Sequence, residues 1–92
     1  MREAQITRRI LAALNAWQSC KAIKLHGSRY QEAGTPDILA VRHGRVYLLE
    51  VKCPGKKPTV LQARRLDEWT AAGATTAVVS AVQDAVDLVL TP

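Results

Sequence analysis

Residues 36–52 read PDILAVRHGRVYLLEVK, two apolar runs separated by His43 and Gly44. The runs 38–41 and 46–49 consist of aliphatic, β-branched and aromatic side chains, which favour strands. A two-residue connection that contains Gly is typical of a tight hairpin, because the backbone there requires a positive φ. The stretch therefore predicts an antiparallel β-hairpin. Both of its faces are largely apolar, so we expect both sides of these strands to be covered.

The register of this hairpin brings charged side chains together at one end. If Arg42 pairs with Arg45, Asp37 lies directly opposite Glu50, and opposed residues point to the same face with Cβ atoms roughly 4.5–5.5 Å apart. Lys52 follows Glu50 by two residues and shares that face. Two carboxylates this close repel each other unless a cation joins them, and a divalent metal ion is the natural cation. The alternative is a structural salt bridge between Lys52 and one of the two carboxylates.

The rest of the chain predicts helices on both faces of a small mixed sheet. The expected elements besides the hairpin are a helix over 2–18, a strand over 21–26, a helix from 59 to a stop at Gly73, a strand over 75–80 and a helix over 82–90. The order α-β-β-β-α-β-α predicts an α/β fold. The inward stripe of the first helix is expected to consist of Ile6, Ile10, Leu14 and Trp17, and Leu66 and Trp69 continue the inward side of the second.

Composition sets the broad class of the protein. A chain of 92 residues with 48% hydrophobic residues predicts one folded domain over residues 1–92, small enough to gain from oligomerisation. The net charge of +5 suits a polyanionic partner. The N-terminus begins with charged residues and no apolar run is long enough to span a bilayer, so we expect no signal peptide, no membrane partner and a cytoplasmic protein. Cys20 and Cys53 form neither a metal-ligand spacing nor a disulfide framework, which predicts free thiols.

The motifs of the chain resemble a known nuclease family. Residues 34–37, the hairpin and residues 50–52 resemble the PD-(D/E)XK nuclease superfamily, and more closely its small stand-alone VRR-NUC branch, found in phages and bacteria. The resemblance covers nearly the whole chain. Glu3 matches the acidic residue of the family's first helix, residues 59–62 match the segment that carries its active-site Gln, and Gly73 before a Val-rich strand also fits. The resemblance implies a restriction-endonuclease-like αβα core and, if phage-encoded, a protein of the bacterial host cytosol.

These matches define an expected active site. The catalytic candidates are Asp37, Glu50, Lys52, Gln62 and Glu3. The candidate ligands of Mg²⁺ or Mn²⁺ are Asp37, Glu50, the Val51 backbone carbonyl and Glu3, the last directly or through water. Lys52 is expected to orient the attacking water or stabilise the phosphorane charge, since the adjacent carboxylates disfavour its neutral form. Two of these residues have structural alternatives: Glu3 complements the N-terminal end of the helix dipole, and Gln62 completes a capping box with Thr59.

Further residues are candidates for other roles. The expected phosphate contacts are Arg8, Arg9, Lys21, Lys24, Arg29, Lys56, Lys57, Arg64 and Arg65. Arg64 and Arg65 have the alternative of forming a solvated helix face. A His and Lys site could support metal-free RNA cleavage, but His43 is better explained as a turn residue and His26 as a strand-surface residue. No base-reading motif is visible, so any selectivity should be for nucleic-acid shape.

Together these features predict a metal-dependent nuclease that acts on DNA. Stand-alone VRR-NUC proteins are similar to Holliday junction resolvases, and this resemblance implies a homodimer with two sites on a branched DNA. One alternative is a flap-directed or nicking nuclease. The other is a non-catalytic DNA-binding subunit in which the acidic cluster is structural.

Overall fold

A computed structural model describes residues 1–25 and 31–91. Its elements are α1 (Glu3–Asn15), β1 (Cys20–Lys24), β2 (Ile38–Arg42), β3 (Arg45–Val51), α2 (Val60–Ala71), β4 (Thr75–Val79) and α3 (Val82–Leu90). This order confirms the predicted α-β-β-β-α-β-α sequence of elements. The strand predicted over 21–26 begins at Cys20, and its last residue, His26, lies outside the described residues. In the described part of the chain, no helix combines the length and the apolar character needed to cross a membrane.

The described residues form a mixed sheet with the strand order β1-β2-β3-β4. The first three strands are antiparallel neighbours, and β4 runs parallel to β3. The predicted register is confirmed, because Arg42 pairs with Arg45 and Ile38 pairs with Leu49. His43 and Gly44 have φ values of 50° and 77°. Positive φ at both central residues is typical of the type I′ turn that matches the twist of two adjacent strands.

The core lies on one face of the sheet, under α1 and α3. The helical stripe of α1 contributes Ile6, Ile10 and Leu14, each at most 3% exposed. The sheet face beneath contributes Ala22, Ile38, Ala40, Tyr47, Leu49, Val51 and Val79, and α3 adds Ala85, Val89 and Leu90. Arg42 ties the hairpin to this layer, since its Nη1 donates to the Val89 carbonyl at 3.0 Å.

The opposite face is covered only in part, so the expectation of cover on both sides is wrong there. Helix α2 packs on β3 and β4. Leu48 of β3 and Leu66 of α2 are buried on this face, with exposed fractions of 2% and 8%. Ile23 and Val41 on the remaining strands of this face are 43% and 38% exposed. A helix is about 10 Å wide and strands are about 4.8 Å apart, so one helix covers about two strands.

Two tryptophans predicted to face inward are exposed instead. Helix α1 ends at Asn15, where the side chain accepts from the Ala22 N–H at 2.8 Å and donates to the Ala22 carbonyl at 2.9 Å. The helix therefore ends before Trp17, which lies in the turn that leads to β1 and is 56% exposed. Trp69 is 43% exposed because it lies in the last turn of α2, beside the hairpin turn.

Candidate active site

Asp37 is fixed between two strands at the start of β2. Its N–H donates to the Leu49 carbonyl at 3.0 Å, and its carbonyl accepts from the Leu25 N–H at 2.8 Å. Its carboxylate reaches across the hairpin, where Oδ2 accepts from the Val51 N–H at 2.7 Å. The backbone ladder therefore holds the Asp37 carboxylate at the end of β3.

Glu50 is a buried carboxylate that forms no ion pair within residues 1–25 and 31–91. It is 2% exposed, and its Oε1 is buried without a hydrogen-bond partner among the described residues. Its pKa is raised to about 8, mainly by burial and then by a hydrogen bond with Asp37 and the charges of Asp37 and Glu3, against the opposing charge of Lys52. At neutral pH the pair Asp37 and Glu50 therefore holds a proton between its carboxylates when no cation is present.

Glu3 approaches the same end of the sheet from the first turn of α1. Its Oε2 accepts from the Cys53 N–H at 3.3 Å, just beyond β3. Its charge contributes to the raised pKa of Glu50, so the two carboxylates interact through space. A carboxylate in a first helical turn also complements the helix dipole. The geometry is thus compatible with both readings of Glu3.

The chemistry of this cluster fits a divalent cation. Within residues 1–25 and 31–91, no set of three His, Cys, Asp or Glu side chains is already gathered closely enough to hold a metal ion. Asp37 and Glu50 nevertheless form a close carboxylate pair with an unpartnered buried oxygen. Mg²⁺ is commonly bound by one or two carboxylates and keeps several of its waters. A cation can therefore take the place of the proton that this pair retains.

Lys52 lies at the edge of the cluster and is not in an ion pair with it. Its N–H donates to the Val79 carbonyl at 3.0 Å, which fixes the backbone directly after β3. In the described part of the chain, the ion pairs between side chains are those of Arg65 with Glu32 and Glu68. The structural salt bridge between Lys52 and a carboxylate is therefore not present, although the Lys52 charge acts on Glu50.

Gln62 forms the capping box that its spacing predicts. The Thr59 hydroxyl accepts from the Gln62 N–H at 3.1 Å, and the Gln62 Oε1 accepts from the Thr59 N–H at 2.8 Å. The structural role of Gln62 is thus present in the fold. A role in positioning Lys52 or the attacking water stays a prediction.

Solved structures match this architecture, whereas no family model and no curated protein matches the sequence. A structure described as a VRR_NUC domain has a TM-score of 0.79 at 24% identity and covers 96% of this chain and 94% of its own. A VRR_NUC domain protein has the same TM-score of 0.79 at 14% identity, over 98% of this chain and 86% of its own. The chain has the VRR_NUC fold. The structure of Hjc, a Holliday junction resolvase from the archaeal hyperthermophile Archaeoglobus fulgidus, is similar with a TM-score of 0.63 at 22% identity, over 82% of this chain and 64% of its own.

The loop that leads into Asp37 is locked against α2 in this VRR_NUC fold. Gly34 has a φ of +81°, and a Cβ there would lie 2.9 Å from the Leu61 Cγ. Arg65 holds the same loop, since its Nε donates to the Ala33 carbonyl at 3.1 Å and lies 2.8 Å from a Glu32 oxygen. Arg65 was predicted as a phosphate contact or part of a solvated face, but its guanidinium is engaged within the chain. The sequence signal for this lock is the Gly that precedes Thr-Pro-Asp.

The other predicted site residues lie on the surface of the VRR_NUC fold or outside the described residues. Of the predicted phosphate contacts, seven are exposed, namely Arg8, Arg9, Lys21, Lys24, Lys56, Lys57 and Arg64. Arg29 and His26 lie outside the described residues. His43 is exposed in the hairpin turn, at the opposite end from Asp37, as its turn interpretation predicts. Both cysteines are free, and burial raises the pKa of Cys20 while Arg42 lowers it.

Proposed function

We propose that this chain is a stand-alone VRR-NUC nuclease that hydrolyses DNA phosphodiester bonds with Mg²⁺ or Mn²⁺. The observation that carries the proposal is the close pair of Asp37 and buried Glu50 at the end of a hairpin in a nuclease-type fold, with the Glu50 Oε1 unpartnered among the described residues. Placing two carboxylates close together in a buried position is unfavourable for folding. A metal site gives a specific reason for such a pair, because a bound cation offsets the repulsion.

Each residue of the site has a separate proposed role in hydrolysis. A divalent ion, when bound, supplies charge neutralisation and a more acidic water. Asp37 and Glu50 would hold this ion, with the Val51 carbonyl and Glu3 as further oxygen donors, directly or through water. The Lys52 ammonium would stabilise the negative charge that develops on the phosphate oxygens. The remaining exposed lysines and arginines contact the flanking phosphates, which supports binding without base reading.

The preferred substrate is a branched DNA, which a homodimer would cleave at two symmetric positions. The similarity to Hjc supports this choice, since that protein is a Holliday junction resolvase. A two-fold dimer matches the two-fold symmetry of a four-way junction. Light scattering at the assay concentration measures the mass. A monomer that makes symmetric paired cuts would contradict the coupling of dimerisation to cleavage, whereas a monomer that only nicks would favour the flap or nicking alternative.

The direct test is cleavage of linear, flapped and four-way DNA with Mg²⁺, Mn²⁺ or EDTA. We expect cleavage with either metal, none in EDTA, and the fastest cleavage on the four-way substrate. Glu50→Gln should bind the same DNA without cutting it. The matched control is Asp67→Asn, which removes one acidic charge on the exposed side of α2 and should cleave normally. DNA binding that needs no metal, with no cleavage under any condition, would favour the non-catalytic DNA-binding subunit.

A further inference from the structure

A groove lies at the end of the hairpin opposite the carboxylates. It is an open cavity of about 510 Å³ between the hairpin turn and the C-terminal end of α2. Its lining includes Arg45 and Val46 of β3, Trp69 of α2 and Thr75 of β4. Cavities of this size accommodate small organic groups. The groove is therefore large enough to receive a planar base.

The backbone at the end of α2 places Trp69 at this groove. Gly73 has a φ of +112°, its N–H donates to the Thr70 carbonyl at 3.0 Å, and the Ala74 N–H donates to the Trp69 carbonyl at 3.0 Å. These are the two hydrogen bonds of a Schellman motif, which fixes the last helical turn. A Cβ at Gly73 would meet no atom within 4 Å, so the groove stays open beside the indole. Trp69 thus presents an exposed aromatic surface on an ordered backbone.

The charge around the groove is positive. The hairpin tip reads Arg42-His43-Gly44-Arg45, and a second cavity of about 270 Å³ lies on its other side, also lined by Arg45. The described lining residues of the two cavities include no Asp or Glu. The Arg42 guanidinium is tied to the Val89 carbonyl, whereas Arg45 is exposed. An exposed indole beside an exposed cation suits a nucleobase and its phosphate, because bases stack on aromatic rings while phosphates contact arginine.

The groove lies within reach of a nucleic-acid strand at the carboxylates. Val46 and Glu50 point to the same face of β3 and are four residues apart, which corresponds to about 13 Å along a strand. The rise per base step of duplex DNA is about 3.4 Å, so this span equals about four base steps. One substrate can therefore contact both places.

We propose that the Trp69 and Arg45 groove binds an unpaired base of the DNA, with the base stacked on the indole and the adjoining phosphate held by Arg45. The choice of DNA as the ligand rests on the proposed function. The groove adds to that function a binding site for one part of the substrate. A base inside a duplex is stacked between its neighbours, whereas a base at a branch point or a single-stranded end is available to the indole. The groove thus selects branched or single-stranded DNA over uninterrupted duplex.

The chain offers a matched pair of tryptophan reporters for the test. It contains two tryptophans, Trp17 and Trp69. Trp17→Phe leaves Trp69 as the reporter, and Trp69→Phe leaves Trp17, which is more exposed and does not line this groove. Each variant is titrated in EDTA with a short unlabelled single-stranded oligothymidylate to follow tryptophan emission, and a separate titration with the fluorescein-labelled strand measures total binding by anisotropy. We expect saturable quenching of Trp69 emission and no change in Trp17 emission.

Two substitutions test the separate contacts. Trp69→Ala should weaken oligothymidylate binding by about 5- to 150-fold, the range for loss of one stacked base. Arg45→Ala should reduce the slope of log affinity against log salt by about 1, as loss of one phosphate contact predicts. An abasic oligonucleotide with the same phosphates should bind more weakly and leave Trp69 emission unchanged.

Three results would overturn the inference. They are unchanged Trp69 emission at saturation, equal quenching by the abasic strand, and an emission change with protein concentration alone, which would identify the groove as an interface between copies.

A cleavage assay with Mg²⁺ on wild type keeps this inference separate from the proposed function. Quenching without cleavage would retain the groove and reject the nuclease, and cleavage without quenching would do the reverse.

Discussion

Replacing Glu50 with Gln should stabilise the metal-free protein at neutral pH. Burial and Asp37 raise the pKa of Glu50 from 4.5 to about 8, so the folded chain keeps a proton that the unfolded chain releases above pH 4.5. The free energy of unfolding must then fall as pH rises from about 4.5 to about 8, because the folded state binds more protons in that window. Gln has the shape of the protonated carboxyl and does not ionise. The fall in the free energy of unfolding between about pH 4.5 and about pH 8 is therefore absent in the variant.

The pKa of Glu50 sets the size of the effect. One pKa unit corresponds to 1.36 kcal/mol, so retaining the Glu50 proton that the unfolded chain releases costs the fold about 3 kcal/mol at pH 7 and less than about 1 kcal/mol at pH 5. We therefore expect Glu50→Gln to be about 3 kcal/mol more stable than wild type at pH 7, with the advantage nearly lost at pH 5. The expected gain is large for one substitution, since most substitutions destabilise a protein.

The assay is urea unfolding in EDTA at a series of pH values, followed by circular dichroism. Asp67→Asn is the control, because it removes an exposed charge and should follow the wild-type pH dependence. Addition of Mg²⁺ should stabilise wild type at pH 8 and leave Glu50→Gln unchanged, since a ligand stabilises only the state that binds it. A wild-type stability that is flat from pH 5 to pH 8, or a variant less stable than wild type at pH 8 in EDTA, would refute the reasoning.

Three other substitutions separate catalysis from structure. Lys52→Ala should abolish or greatly reduce cleavage while calorimetry still detects Mn²⁺ binding, and loss of binding with activity retained would reverse the assignment. Gln62→Ala should cost about 1 kcal/mol or less by thermal unfolding, as loss of half a capping box predicts, and a fall in activity far beyond this loss would indicate a catalytic role. Gly34→Ala should destabilise the fold in urea by more than Gly55→Ala, because both positions have positive φ but only the first meets an atom, the Leu61 Cγ at 2.9 Å; equal losses would contradict the loop lock.

The hairpin and its carboxylates were predictable because successive side chains of a strand alternate strictly between its two faces. A two-residue turn fixes the register, and the register fixes which side chains share a face, so Asp37 and Glu50 could be placed together without any tertiary information. The depth of burial of Glu50 was not predictable in the same way, since it depends on which elements pack around the end of β3 in the folded chain.

The missed features depend on contacts between distant parts of the chain. Trp17 follows the helical spacing of the apolar residues of α1 in the sequence. The helix nevertheless ends before Trp17, because the Asn15 side chain forms hydrogen bonds with the backbone of β1. Arg65 looks like a surface cation on its helix, and only the folded chain brings it to the Ala33 carbonyl. Both faces of the hairpin are apolar in sequence, yet periodicity carries no information on the width that one helix covers.

The central claim is that the Asp37 and Glu50 pair is a metal-dependent catalytic centre. Its most direct test is the single-turnover rate of four-way DNA cleavage in Mg²⁺ by wild type and Asp37→Asn, with both proteins saturated by DNA and their folding checked by circular dichroism. The account predicts that the variant binds DNA as tightly as wild type and cleaves it at least about 10³-fold more slowly, the loss of about 4 kcal/mol of transition-state stabilisation. Cleavage by Asp37→Asn at the wild-type rate, or cleavage by wild type that persists in EDTA, would contradict it.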